Sequence, residues 1–313
     1  MLSLAVPSVT AIETIGLTKH YGPVRALCDL NLAVPAGSLF GFLGPNGAGK
    51  TTTLRLLLDL IRPTAGRATV LGLDARRDSV RIRSRVGYLP GDLRLYDRMT
   101  GRQALGFCAA VRGCACGDEI ARLGRRFDLD LDRRVRGCSK GARQKIGLAA
   151  ALMHRPEVII LDEPTASLDP LMQQELYGEL RDAAGRGATV LFSSHVLAEV
   201  EALCESVAIV RGGRLVEQAR IDDLRRRAVR RVEYELSDGS SAPPPPPNLT
   251  LRSRVERRYS GTWAGPTTGL VSWLAAAGAI DVRIGPPDLE ELFLAYYDRR
   301  RPDEIGSGAE IPA

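Results

Sequence analysis

Residues 44 to 51 read Gly44-Pro45-Asn46-Gly47-Ala48-Gly49-Lys50-Thr51, a match at every position to the phosphate-loop pattern G-x-x-x-x-G-K-[ST]. The apolar run Leu39-Phe40-Gly41-Phe42-Leu43 before it reads as a short buried strand, and Thr52 to Leu60 after it reads as a helix. Three glycines let the backbone wrap closely enough for successive N–H groups to point at one phosphate chain. The helix that follows brings the positive end of its dipole to the same place. Lys50 is then placed to reach β- and γ-phosphates and the Thr51 hydroxyl to help hold Mg²⁺, with Thr52 completing the cradle. A glycine-rich turn that matches by accident is the bland alternative. Strand and helix in their required places select the nucleoside triphosphate.

The chain of 313 residues suits two domains, and 44% hydrophobic with 26% charged residues is ordinary for a folded protein. The formal charge of +6 comes almost wholly from arginine, since lysine occurs only at 19, 50, 140 and 145. That balance suits an anionic partner without choosing among nucleotide, nucleic acid and lipid surface. No apolar run approaches the roughly 18 residues needed to span a bilayer, Leu270 to Ile280 being the longest candidate. Met1 to Thr10 lacks the basic and apolar order of a secretory signal. Six cysteines, at 28, 108, 114, 116, 138 and 204, show no C-x-x-C spacing. Cys114-Ala115-Cys116 invites a metal reading, but no histidine or second cysteine pair lies near it. Reduced thiols in the cytosol are the expectation.

Ala11–Leu17 and Asn31–Val34 read as strands, and Pro63-Thr64-Ala65-Gly66 stops the phosphate-loop helix before a strand at 68–71. Val80–Arg85 reads as a short basic helix and Val86–Leu89 as a strand. Helical patterns follow at Gly101–Val111, Asp118–Phe127 and Lys140–Met153. Val158-Ile159-Ile160-Leu161 is the unbroken apolar run of a parallel strand buried on both faces. Helix 170–184, strand 189–192, helix 196–204 and strand 207–210 continue an alternating order, which implies a parallel sheet covered by helices with an inserted helical subdomain. Beyond Ile221 the character changes. An arginine cluster at 225–231 precedes a strand at 232–236, and Pro243 to Pro247 form a stiff loop or linker. After a stretch at 249–257 come a small-residue helix near 269–277, a strand at 280–284 and a final amphipathic helix at 288–297. The expected division is a nucleotide-binding domain at 10–222, a small accessory domain at 229–298 and a disordered tail at 299–313.

The run Val158–Leu161 ends in Asp162-Glu163. A carboxylate at the end of a buried strand beside a phosphate loop suits a second Mg²⁺ contact, the role read for Asp162. Glu163 points differently and can polarise the attacking water. An acidic pair after a strand also serves as a helix cap; the phosphate loop upstream favours the metal reading. His195 follows the strand at 189–192, so it faces the same sheet edge and can hydrogen-bond a γ-phosphate.

Taken together, Gly44 to Thr51, Cys138-Ser139-Lys140-Gly141-Ala142-Arg143-Gln144, Leu161-Asp162-Glu163-Pro164, Ser167-Leu168-Asp169 and His195 resemble, in order and spacing, the motif set of ABC transporter ATPases over about residues 10 to 220. The resemblance implies an α/β P-loop NTPase core with an inserted helical subdomain, here followed by a small C-terminal α+β domain. It further implies a head-to-tail pair in which each ATP lies between one subunit's phosphate loop and the other's signature segment. On that resemblance Tyr21 matches the aromatic that stacks on adenine, Ser139 and Gly141 match the signature contacts to the opposite γ-phosphate, and Asp169 matches the loop that couples the sites. Lys50, Glu163 and His195 carry the catalytic roles; Thr51 and Asp162 carry the metal.

Two departures stand out. The family's Leu-Ser-Gly-Gly-Gln reads Cys138-Ser139-Lys140-Gly141-Ala142, and its loop glutamine is absent from Pro90-Gly91-Asp92, where Asp92 is left as a candidate substitute at the metal. Both variants, and the tail Pro286-Pro287-Asp288-Leu289-Glu290-Glu291-Leu292-Phe293-Leu294, are similar to those of the bacterial drug- and antibiotic-efflux branch. The implied function is ATP hydrolysis driving export of a drug-like or lipophilic substrate through separate membrane-spanning subunits. The implied partners are those subunits and a second ATPase subunit, expected as a homodimer peripheral to the cytoplasmic face of the membrane, with no nucleic acid. The rival is a soluble ABC ATPase acting on nucleic acid or ribosomes. Against it, the interval from Thr51 to Ser139 is short and without heptads, and no second phosphate loop occurs. A phosphate-loop kinase leaves Ser139-Lys140-Gly141 and His195 unexplained.

Overall fold

A computed structural model describes residues 9–237, 244–289 and Phe293. The chain forms two compact units that divide between Ala219 and Arg220.

In the first unit, β1 (Thr10–Tyr21) and β2 (Val24–Pro35) form an antiparallel hairpin. β3 (Leu39–Leu43) runs through the phosphate loop into α1 (Lys50–Leu57), and β4 (Ala65–Val70) with the short β5 (Leu73–Asp74) joins the hairpin in the order β2-β1-β4-β5. α2 (Ser79–Arg85) and β6 (Val86–Leu89) lead to the helical block of α3 (Gly101–Arg112), α4 (Gly117–Arg126) and α5 (Lys140–Leu152). β7 (Val158–Asp162), α6 (Pro170–Gly185), β8 (Thr189–Ser194), α7 (Leu197–Leu203), β9 (Ser206–Arg211) and β10 (Arg214–Arg220) complete it. The large sheet has the order β10-β9-β3-β8-β7-β6, parallel from β9 to β6. Every residue of β3, β7 and β8 is buried, which explains why their sequences do not alternate.

α1 is sandwiched between the two sheets. Its Leu54 and Leu57 pack with Ile12, Leu30 and Val70 of the antiparallel sheet and with Phe42, Ile160 and Val210 of the parallel one. Full burial of each leucine side chain contributes roughly 1.5–3 kcal/mol, so the direction of α1, and with it Lys50 at its first position, is fixed from both sides. The helix ends at Leu57 rather than at the expected Leu60. Asp59 takes a left-handed φ of 54°, its N–H bonds Leu56 O, and Leu60 N–H bonds Arg55 O. That is the paired closure that satisfies a helix's last carbonyls.

The helical block is fastened to α6 by charge. Glu179 is fully buried and accepts two hydrogen bonds from Arg122 (2.7 and 2.9 Å) and one from Arg126 (2.8 Å). Hydrogen bonding to Glu179 and then Glu119 drives the Arg122 guanidinium well above its ordinary value. A buried carboxylate needs such partners, because an unpaired one carries the full desolvation penalty. α3 starts at a capping box in which Thr100 and Gln103 bond each other's backbone, and it stops at Gly113 with φ of 65°. The turn that follows corrects the expectation of reduced thiols at this place. Cys114 and Cys116 are disulfide-bonded, their Cα atoms 5.5 Å apart and within bridging reach.

The second unit begins with α8 (Ile221–Arg227), which carries Arg225–Arg227 in its last turn. β11 (Arg230–Leu236), β12 (Leu249–Val255), β13 (Arg258–Trp263) and β14 (Ala279–Pro287) make an antiparallel sheet of order β12-β13-β11-β14. α9 (Thr267–Ala276) packs Leu270 and Leu274 on Val232, Tyr234, Leu249 and Trp263. Of the proline run, Pro244 accepts a hydrogen bond from Trp273 Nε1 at 3.1 Å. Leu289 and Phe293 of the expected last helix are helical and buried. The rest of that helix beyond Asp288, residues 240–243 and the tail 299–313 lie outside the described residues. Among the described residues no helix is long and apolar enough to cross a membrane.

Candidate functional site

Parallel strands deliver their carboxyl ends to one edge of the sheet, and ligands of open α/β sheets bind beyond that edge. Leu43 is in register with Ser194, Asp162 with Ser193, and Leu89 with Leu161. The phosphate loop, Asp162-Glu163, Ser193–His195 and Pro90–Asp92 therefore emerge side by side.

Pro45, Asn46 and Gly47 form the exposed rim of the loop, while Gly44, Ala48 and Lys50 are buried and Thr52 is half-buried. Gly49 has φ of 103°, and a Cβ there would lie 2.8 Å from the Ala26 carbonyl and 2.6 Å from Leu27, so the loop sits hard against β2 and admits only glycine. The first turn of α1 contains no acidic residue, leaving its N–H groups and dipole free for an anion.

Lys50 is 5% exposed; its Nζ donates to Gly44 O (2.7 Å) and Pro45 O (3.2 Å) and pairs with Glu163 Oε1 at 3.3 Å. His195 Nδ1 lies 3.3 Å from the same carboxylate oxygen. Thr51 Oγ1 donates to Asp162 Oδ2 at 2.7 Å, and Ser193 Oγ donates to Asp162 Oδ1 at 2.8 Å. The two neighbouring carboxylates thus face different partners. The reason is a backbone turn: Glu163 holds a φ of 48°, with its N–H bonded to Ser193 O and Oγ, both at 3.2 Å. Such a conformation costs about 1–3 kcal/mol and concentrates at working sites. Ser193 is a functional neighbour that the sequence analysis did not single out; its signal was its place one residue before the end of β8.

The donors suit magnesium. Thr51 and Asp162 present oxygens together, and a small hard cation is held through one or two such groups plus phosphates. Among the described residues no group of three or more His, Cys, Asp or Glu is placed to hold a metal ion. A Cβ on Gly91 would lie 3.3 Å from Asp162 Oδ2, so the loop backbone after β6 stands close against that carboxylate. The Tyr88 hydroxyl is buried nearby beside Arg55, and burial followed by the Asp162 charge pushes its pKa up to about 12. Asp92, the candidate substitute for the glutamine, is engaged elsewhere: Arg55 Nη2 donates to its Oδ1 at 3.0 Å, and its side chain is 64% exposed.

Ser139, Gly141 and Asp169 gather in a second place. Ser139 caps α5 by accepting from Ala142 N at 3.1 Å, and Gly141 faces the Ser167 carbonyl, 2.7 Å from where a Cβ would sit. Asp169 caps α6 by accepting from Met172 N at 2.9 Å, which holds its carboxyl below the usual range. The three border a concavity of about 410 Å³. The described residues show no hydrogen bond or ion pair between this group and Lys50, Thr51, Asp162 or Glu163. Tyr21 ends β1 on the hairpin that packs against Gly49; its ring is half-exposed, with Lys19 Nζ 4.9 Å from the centroid.

Comparison with known proteins gives a consistent picture. The family model described as "ABC transporter" matches residues 27–166. The daunorubicin resistance ATP-binding protein DrrA3 of Streptomyces coeruleorubidus is 36% identical over 303 residues, covering 91% of this chain and 95% of that protein. The probable multidrug ABC transporter ATP-binding protein YbhF of Escherichia coli is 37% identical over 224 residues, 70% of this chain; the match spans only 39% of YbhF. A solved structure described as the ATP binding subunit of an ABC transporter superposes with a TM-score of 0.66 at 30% identity, covering 69% of this chain and 92% of that one.

Proposed function

The chain belongs to the ABC transporter family of ATP-binding proteins, and from that premise we propose that it hydrolyses ATP to drive export of a drug-like or lipophilic substrate through separate membrane-spanning subunits. One observation carries the reading: Lys50, Thr51, Asp162, Glu163 and His195 come from three separate places, the start of α1 and the ends of β7 and β8, into one hydrogen-bonded and ion-paired cluster on the phosphate loop.

Each residue has a part that its geometry supports. The loop N–H groups and Lys50 bind the β- and γ-phosphates. Thr51 and Asp162 hold the magnesium ion, which would neutralise charge developing on the phosphate oxygens. Glu163 accepts a proton from the attacking water, and His195, beside it, bonds the γ-phosphate. Ser139 and Gly141 are not joined to this cluster, which supports a second copy of the chain closing its own signature segment over the triphosphate. A single chain then holds only half of the charge-stabilising cage, and catalysis by positioning and electrostatics waits for the pair to form.

Export is supported by the resistance and multidrug proteins that the chain resembles. A membrane-spanning partner is supported by an exposed apolar patch on α3 and the loop before it. Tyr96 and Phe107 meet edge to face at 5.5 Å, both exposed, with exposed Val111 one turn beyond Phe107. Gentle extraction of the membrane fraction with detergent is the test. The chain should leave the membrane with a membrane-spanning protein in fixed proportion; a chain found instead on ribosomes or DNA would favour the soluble rival.

Tyr21→Ala is expected to weaken ATP binding by about 1–3 kcal/mol, the worth of a base stacked on an aromatic ring. Titration with a fluorescent ATP analogue measures it, and an unaltered Kd would remove Tyr21 from the site.

A further inference from the structure

We propose that β14 is a docking edge for a second copy of this chain, two β14 strands pairing antiparallel about Val282. The inference concerns the second unit alone and stands apart from the nucleotide-site reading.

β14 closes one side of the sheet β12-β13-β11-β14, so every second residue along it turns its backbone N–H and C=O away from β11. Ile280, Asp281, Val282 and Arg283 are exposed in succession. Ile280 is 63% and Val282 40% exposed, while Ala279 and Ile284 on either side pack on the core that α9 covers. An open, apolar edge is a template for another strand. Residues two apart on a strand share a face, so Asp281 and Arg283 lie on the face away from α9, opposite Glu235 and Glu233 of β11. Glu235 is already paired with Arg258 at 2.9 Å, which leaves Asp281 directly opposite a like charge. Like charges so placed are unfavourable. Asp281 feels Arg258 at longer range, but among the described residues neither Asp281 nor Arg283 forms a hydrogen bond or ion pair.

What Asp281 lacks is a cation arriving from the open edge, and the segment Ile280-Asp281-Val282-Arg283-Ile284 supplies one to itself. Turned end for end about Val282, a second copy sets its Arg283 opposite Asp281 and its Asp281 opposite Arg283. Val282 then meets its own equivalent, and Ile280, where the register with β11 shifts, meets Ile284. A contact of this kind is isologous and closes on two chains. The other edge fails the same operation. β12 turned about Ser253 sets Arg252 opposite Arg254, two like charges. Pairing β12 with β14 is heterologous and propagates from chain to chain instead of closing. Five residues a side bury far less than the roughly 1,200 Å² of a standing interface. In dilute solution without nucleotide the chain therefore stays single. The contact tells when two chains are already held close, where it acts at high effective concentration.

Disulfide trapping reads so small a contact. Directly opposed residues of antiparallel strands have Cα atoms about 4.5–5.5 Å apart, inside the span a disulfide bridges. The full chain carrying Val282→Cys is concentrated without nucleotide and oxidised with copper phenanthroline. Mass spectrometry identifies the cross-linked peptides and separates them from those of the six native cysteines. Val282→Cys should cross-link to itself, whereas Ser253→Cys at the centre of β12 should stay single. Adding Asp281→Arg to Val282→Cys should cut the cross-linked fraction by roughly fivefold or more, because two opposite-charge pairs become like-charge pairs. Adding Arg283→Asp as well restores both pairs, and the cross-link should return, which also shows that charge and not misfolding caused the loss. No cross-link at 282, or one that persists undiminished with Asp281→Arg, overturns the proposal. Equal trapping through Ser253→Cys marks random collision and overturns it too. A loss that the double exchange does not repair overturns the register about Val282.

Discussion

Glu163→Gln should keep ATP and lose its hydrolysis. The substitution preserves size and leaves an oxygen able to accept from Lys50 and His195, which both lie 3.3 Å from the carboxylate oxygen Oε1. It removes the ability to take a proton from water. A positioned general base contributes about 10²–10⁴ in rate, so steady-state turnover should fall by that factor. Binding should hold, because the groups that grip the phosphates are the loop N–H donors and Lys50, and none of them changes. Phosphate release measured beside nucleotide retention on a desalting column separates the two effects. Turnover at the ordinary rate would remove Glu163 from the role of base.

Lys50→Ala should lose the nucleotide itself. Lys50 Nζ is buried and held at the mouth of the loop by two carbonyls and one carboxylate. Hydrogen bonds to charged groups contribute roughly 1.5–3 kcal/mol each. Removing the ammonium should therefore raise the Kd for ATP by at least tenfold, and more if two phosphate contacts go together. Calorimetric titration gives the number. An unaltered Kd would count against residues 44–51 as the triphosphate site. Both variants carry their large effects because the cluster is compact: Glu163 and Lys50 share one ion pair, so neither is replaceable by a neighbour.

The parts legible in sequence were those where chemistry restricts residue type at fixed spacing. Residues 44–51, Asp162-Glu163 and His195 lie at strand ends, and the unbroken apolar runs named the strands that carry them. The helical block was equally plain from its periodicity. The hairpin of β12 and β13 was not, because its turn at Glu256-Arg257 puts a non-glycine residue at φ of 53° and contains no glycine, proline or asparagine to mark it. The edge strand β10 alternates between exposed and half-buried positions and lacks a hydrophobic signature. The antiparallel sheet that clamps α1 joins β1 to β4 across more than forty residues, a pairing that no local pattern encodes. The nearness of Tyr88 and Gly91 to Asp162 was hidden for a related reason. It depends on β6 lying beside β7 although three helices separate them in the chain. Asp92 was drawn to the metal by proximity in sequence, whereas the ion pair with Arg55 is what its side chain makes.

The split cage is tested most directly by the mass of Glu163→Gln in solution. Sedimentation with saturating ATP and Mg²⁺ should give two chains per particle, and the same sample without nucleotide should give one. A single-chain mass with ATP bound at full occupancy would contradict it.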